Sequence, residues 1–363
     1  FTPHGIYTLA GLTFAICYYN YRQPFSLGAI MYPVMGDRSY GWWSVVANNI
    51  CVFALVAGMA ASLGAGILTL SGGMNAALGT AQNDTVNLII CLFLVAAFVA
   101  SAASGLMKGI KTLSDINIKA FIALALFVLF VGPIAQMIEL GGKGLVDYGS
   151  HFLQRSTGIG TDIDTDWTRD WTIFYWANWL AWTPITAMFL GSIAKGYTVR
   201  EFIRFNLLYP SLFGMVWMII FSGNALSLAG DAPELADLAM DGRPENVIYA
   251  MFAMLPLEEV ISVVFLFIAF LSYITAADSN TTALSGISSK DIVPEDQPAS
   301  LTVKVIWGVV IGAVAYVMIT FSGIDGIKMI STIGGFPALF LVILMAFVLI
   351  RIAFRKEGRR GGR

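Results

Sequence analysis

The sequence has 363 residues, 57% hydrophobic and 12% charged, with a mean hydropathy of +0.76 and a formal net charge of −2. Soluble domains carry roughly a quarter charged residues, so these values exclude an ordinary soluble domain and point to an all-α integral membrane protein. The near-neutral charge, without a basic block, gives no sign of nucleic acid as a partner.

A spanning helix needs about 20 mostly apolar residues. Nine segments meet that need: 4–20, 44–71, 86–107, 116–138, 171–194, 200–223, 257–277, 302–321 and 329–351. The first is short and the second long. Residues 144–157 (GLVDYGSHFLQRST) are amphipathic and predict an interfacial helix. Residues 244–256 form a short apolar piece between acidic loops. Cys17, Cys51 and Cys91 fall inside apolar runs and read as free, packed thiols.

Lysine and arginine favour short cytoplasmic loops. Lys108 and Lys111 share one loop, Lys195, Arg200 and Arg204 another, and Arg351, Arg355, Lys356, Arg359, Arg360 and Arg363 close the chain. The opposite loops are acidic: Asp162, Asp164, Asp166 and Asp170, then Asp231, Glu234, Asp237, Asp241 and Glu245. With nine spans the basic loops fall on one side, which predicts a cytoplasmic carboxyl end and a basic cytoplasmic tail over 352–363. No sequence repeat is visible, though structural repeats in transporters often leave none.

The stretch 170–182, DWTIFYWANWLAW, is the most informative. At 3.6 residues per turn, Tyr175, Trp176, Trp179 and Trp182 share an arc of about 120°, with Asn178 at its edge. An interfacial aromatic belt explains Trp167 and Trp171 beside the acidic loop. It explains Trp182 poorly, because that residue stands about 16 Å further along the axis. Helix packing and a cage for a cationic head group remain as the two readings of the arc.

The segment DWTIFYWANWLAWTPITAMFLGSIAKGYTVREF resembles the signature helix of the betaine/choline/carnitine transporter family. YPVMGDRSYGW (32–42), SLGAG (62–66), KGIKTLSDIN (108–117), TAADS (275–279) and FSGIDGIK (321–328) also have counterparts there, in order. The resemblance implies a LeuT-like core of two inverted five-helix repeats. Residues 1–138 would then be the remainder of the first repeat, 139–170 an extracytoplasmic connection with an interfacial helix, and 171–351 the second repeat, all in a single transmembrane domain. By alignment the chain starts at the second core helix, which implies an amino-terminally truncated chain that would not transport alone. It further implies a secondary transporter of small zwitterionic or cationic solutes (glycine betaine, choline, carnitine) in the cell inner membrane, working by alternating access. A homotrimer follows from the same resemblance, although no residue marks a trimer contact.

The resemblance carries the cage onto Tyr7, Trp179 and Trp182, and Trp176 joins them as a substrate-binding candidate from its place on the arc. Two positions depart from the family: His4 stands where tryptophan is frequent, and Asn178 replaces the first tryptophan of a pair. A desolvated amide without a partner costs roughly 1–3 kcal/mol, so Asn178 is expected to face substrate, water or another helix. His4 reads either as a substrate contact or as a histidine near the outer interface. These changes leave a same-fold carrier for a non-quaternary-ammonium substrate as the alternative.

In its sodium-coupled members the family holds a sodium ion at a Thr-Ser pair, while others couple to protons or exchange without an ion; no other cofactor is implied. Here Thr275 is kept, but Ala276 replaces the serine, and Ser272 offers an oxygen one turn earlier. Ala61 stands where many members have threonine, which weakens a second sodium site. Lys119 lies just inside the fourth span. An intramembrane charge is a functional hypothesis by default, and in sodium-independent members a basic residue on this helix stands in for sodium. The plainer readings are a snorkelling lysine or an i,i+4 pair with Asp115. An enzyme is disfavoured, because His4 and His151 have no metal-ligand partner at helical spacing. A non-transporting receptor is disfavoured because no sizeable soluble domain follows Arg351.

Overall fold

The computed structural model describes residues 1–104, 107–160, 168–230, 232–240, 243–288 and 301–354. The expectations for Asp162, Asp164, Asp166, Trp167, Asp231 and Asp241, the side chains of Lys108 and Lys111, and the tail from Arg355 lie outside the described residues. Among the described residues there is no strand.

The helices are α1 (Thr2–Ala15), α2 (Trp42–Leu78), α3 (Asp84–Ser104), α4 (Met107–Val131), α5 (Ile134–Ser150), α6 (Phe152–Thr157), α7 (Phe174–Ser192), α8 (Val199–Ala229), α9 (Glu234–Met240), α10 (Val247–Ala253), α11 (Glu258–Ser288) and α12 (Leu301–Phe354). Among the described residues, six helices are long and apolar enough to cross a membrane: α2, α3, α4, α8, α11 and α12. Their exposed side chains are large and apolar, such as Leu92, Phe93, Ile118, Phe130, Val260 and Phe267. Water would penalise such faces, and a bilayer favours them.

Local chemistry explains most boundaries. Pro3 sits in the first turn of α1, where a missing N–H costs nothing. Thr198 and Glu201 form a reciprocal capping box at the start of α8: Glu201 N–H donates to Thr198 Oγ1 at 3.3 Å, and Thr198 N–H to Glu201 Oε2 at 2.8 Å. The segment predicted over 116–138 stops at Val131. Pro133 caps a new helix there, because the residue before a proline avoids the α region. The segments 302–321 and 329–351 are two helices, as the sequence predicts, that meet within α12 at a kink at Gly323 (φ 53°, ψ −131°), a conformation that only glycine adopts without strain. Segments 4–20 and 171–194 combine an α-helix with a π turn, at Ile16–Asn20 and Thr168–Ile173. Residues 144–157 fall on α5 and α6, which are largely exposed, and 244–256 on a 3-10 turn and α10. The three cysteines are buried and free.

The chain divides into two compact units. The first holds Phe1–Gly58, Ile173–Leu212 and Ser331–Arg363. In it α1 lies along α7, and Ile6, Leu180 and Val342 make a small core covered by Tyr7, Trp176, Trp179 and Leu339. The second holds Met59–Thr172 and Phe213–Ile330. Its core is larger, with Val128, Met137, Phe252 and Ile268 almost wholly buried, and α11 packs on α3 and α4.

Candidate functional site

In the first unit the sequence-predicted rings gather around Trp179. Tyr7 meets its indole edge-on, with centroids 5.3 Å apart and planes at 67°. Tyr175 does the same from one turn earlier, at 6.1 Å and 69°. His4 lies 6.3 Å away, tilted by 50°. Edge-to-face pairs leave one ring face open while fixing its orientation. Tyr175 was on the arc in the sequence but was not carried over as a site residue; its contact with Trp179 adds it. Trp176 packs with Ile6, Leu180 and Val342 beside Trp179. Trp182 faces α2, where a Cβ at Gly58 would lie 3.1 Å from its Nε1.

Two features of α7 aim these side chains. Thr183 Oγ1 donates back to the Trp179 carbonyl at 2.8 Å. Pro184 lies inside the helix and cannot donate to the carbonyl one turn before it, which favours a bend at the level of the rings. Asn178 is half-buried, and its Oδ1 accepts from Ser331 Oγ at 3.4 Å. Of the expectations for this amide, the bond to another helix is present.

The ion-coupling candidates sit in the second unit. Ser272 Oγ donates to the Ile268 carbonyl at 2.9 Å and accepts from Asn117 Nδ2 at 2.7 Å. Thr275 Oγ1 donates to the Leu271 carbonyl at 2.9 Å, with the Ser272 carbonyl at 3.1 Å. Both hydroxyls thus spend their protons on the helix and keep lone pairs. Asn117 is 8% exposed, and its Oδ1 has no hydrogen-bond partner among the described residues. A buried orphan acceptor is costly. Lys119, two residues on, is exposed, and among the described residues no ion pair joins it to Asp115. On this helix Asn117, and not Lys119, touches Ser272.

A further polar cluster was not anticipated. Asp278, inside TAADS, is 3% exposed, and its Oδ2 accepts from Ser101 Oγ at 2.9 Å. The Lys304 ammonium attracts the same carboxylate. Both residues are charged and lie in or beside predicted spans, a signal that could have found them.

Comparison with known proteins places these features in a family. The model of the betaine/carnitine/choline family transporters matches residues 1–358. A glycine betaine/proline/choline/ectoine transporter of Vibrio parahaemolyticus is 29% identical over 96% of the chain and 62% of its own length. The high-affinity choline transport protein of Escherichia coli K12 is 29% identical over 99% of the chain and 53% of its own length. An osmo-dependent choline transporter of Acinetobacter baylyi is 29% identical over 94% of the chain and 50% of its own length. The chain therefore spans between half and two thirds of the length of these relatives. The aromatic helix that first suggested a cationic solute lies inside the matched region, and the chain belongs to the betaine/carnitine/choline transporter family.

Proposed function

We propose that the protein carrying this chain is a secondary transporter of small quaternary-ammonium or related zwitterionic solutes, working by alternating access. The observation that carries this reading is the convergence of Tyr7, Tyr175 and His4 on Trp179. Ring faces attract a cationic head group through their quadrupoles, and the attraction grows as the site excludes water. Trp176 and Trp182 complete the aromatic lining, and Asn178 supplies its one amide. The names of the relatives, which include glycine betaine and choline, agree with this solute class.

The fold proposed for the whole protein is the LeuT-like inverted repeat, with 1–138 and 171–351 in the two repeats and 139–170 connecting them. The membrane is the cell inner membrane, with the carboxyl end cytoplasmic by the positive-inside rule. The proposed assembly is a homotrimer. For the coupling ion, sodium fits the oxygens of Thr275, Ser272 and Asn117. A hard cation prefers oxygen ligands, and the orphaned Asn117 Oδ1 has a lone pair to give. Bound there, sodium would supply positive charge that couples solute movement to an ion gradient. Sodium-independent exchange is the second reading, favoured by Ala276, which lacks the hydroxyl of the family pair.

The deciding experiment reconstitutes the full-length protein and measures uptake of radiolabelled glycine betaine and choline with and without a sodium gradient. Sodium-driven uptake is expected. Uptake indifferent to sodium would favour the second reading, with Lys119 as the built-in cation. Uptake of neither compound would favour a same-fold carrier for a different solute.

A further inference from the structure

Ser331 and Asn178 are 153 residues apart in sequence and meet across the seam between α7 and the part of α12 after Gly323. The seam is made of small residues. A Cβ at Gly335 would strike the Ala177 backbone, and one at Gly334 would lie 3.6 Å from Ala181 Cβ. No larger residue fits at 335 without parting the helices. This close approach brings the fully buried Ser331 hydroxyl, 0% exposed, to the Asn178 carbonyl.

The orientation that results has a chemical consequence. Ser331 donates to Oδ1, so the other end of the amide, Nδ2 with its two N–H groups, is what Asn178 presents away from the seam. Nδ2 has no partner among the described residues, and the side chain is only half-buried. The next residue is Trp179, the centre of the ring cluster. Aromatic faces hold a cation but offer nothing to an anion. A zwitterion carries both.

We infer that Asn178 Nδ2 donates to an acceptor oxygen of the solute, its carboxylate foremost, and that Ser331 is the positioning residue that keeps the amide turned this way. The site thereby selects cations that carry an acceptor oxygen over bare quaternary ammoniums. This inference rests on the reading of the Trp179 cluster as the solute site.

The test compares equilibrium binding of glycine betaine and tetramethylammonium to the full-length protein. The two share a methylated ammonium, and only the first has a carboxylate. Wild type should prefer glycine betaine by about tenfold or more, the worth of a charge-assisted hydrogen bond. Ser331→Ala should cut that preference severalfold, chiefly through weaker glycine betaine binding, and Ser331→Thr should restore it. Asn178→Asp keeps the size and the acceptor for Ser331 but replaces the donor with a second anion. It should abolish or invert the preference, and it keeps the test open if Ser331→Ala misfolds. An unchanged ratio in both variants overturns the inference while leaving the cage standing. Equal loss of both ligands in Ser331→Ala also overturns it, because that is a packing defect. Binding of neither ligand by wild type removes the cage reading itself, and the inference with it.

Discussion

The ring cluster around Trp179 and the polar contact between Asn117 and Ser272 are, on the proposed reading, two ways of preparing a helix pair for positive charge. The first uses three side chains on α1 and α7, each 5.3 to 6.3 Å from the Trp179 indole. The second uses one amide on α4 and one hydroxyl on α11, 2.7 Å apart. Quadrupole attraction falls off gently and is shared over several faces, so it suits a bulky, weakly hydrated head group. Oxygen lone pairs act at short range and suit a small, hard ion. On that reading the first region spreads its attraction over several rings, whereas the second rests on a single buried acceptor, Asn117 Oδ1.

Removing the hub should have the largest effect. Trp179→Ala takes away the face that Tyr7 and Tyr175 orient, and a desolvated cation–π contact is worth about 2 kcal/mol or more. Binding of glycine betaine to the full-length protein should weaken by roughly thirtyfold or more, and Trp179→Phe should recover part of it. Unchanged affinity would end the assignment of the cluster as a solute site.

The oxygen contact should be more brittle per residue and smaller in total. Asn117→Leu removes the orphan acceptor and the bond to Ser272. Ser272 Oγ keeps its own donation to the Ile268 carbonyl and loses only an incoming N–H, so the cost is modest and the protein should fold. Its uptake should lose about tenfold in apparent sodium affinity, the worth of one oxygen at a charge. Lys119→Ala, two residues away and exposed, should leave the sodium profile unmoved, as a snorkelling anchor would. A sodium profile that follows Lys119 and ignores Asn117 would reverse the roles.

These two regions were not equally legible in the sequence. The rings on α7 repeat at helical spacing, so their shared face could be read from period alone. Their fourth wall could not, since His4 and Tyr7 lie on another helix, and the resemblance brought them in. Ser331, in a run of Ser, Thr and Gly, carries no mark of its partner 153 residues away. Asn117 stands between Asp115 and Lys119, inside the predicted span 116–138, and drew no separate reading. Residues two apart point about 200° away from each other on a helix, so a buried 117 implies an exposed 119, but the pattern does not say which one is buried. The long apolar runs predicted helices well, because length and hydropathy decide them. Residues 116–138 overran Val131, since Gly132 and Pro133 interrupt the backbone without interrupting the hydrophobic pattern. The π turns were invisible, because an i→i+5 bond has no side-chain signature.

The exposed helices α5 and α6 sharpen the comparison from the opposite end, where charge meets charge in water. Asp147 accepts from Arg155 Nε at 2.9 Å and Nη2 at 3.0 Å, and His151 Nδ1 lies 3.2 Å from Asp147 Oδ1. The Arg155 hydrogen bonds hold the Asp147 carboxyl below the usual carboxylate range. A depressed pKa stabilises the fold only while the group is ionised. The contribution is therefore fully present above the unfolded-state value, near 3.9, and is lost as pH falls through the lower folded value. Solvent screens such exposed pairs, so this should be the smallest effect of the set. Corrected for the intrinsic pH dependence of amide exchange, protection over 147–157 should fall by roughly twofold as pH drops below about 3.9 in wild type, on the scale of a weak surface pair. Arg155→Ala should exchange at the faster rate throughout and lose the step. A step that persists without Arg155 would assign it to other carboxylates, and would show that the bidentate contact does not hold the α5–α6 junction.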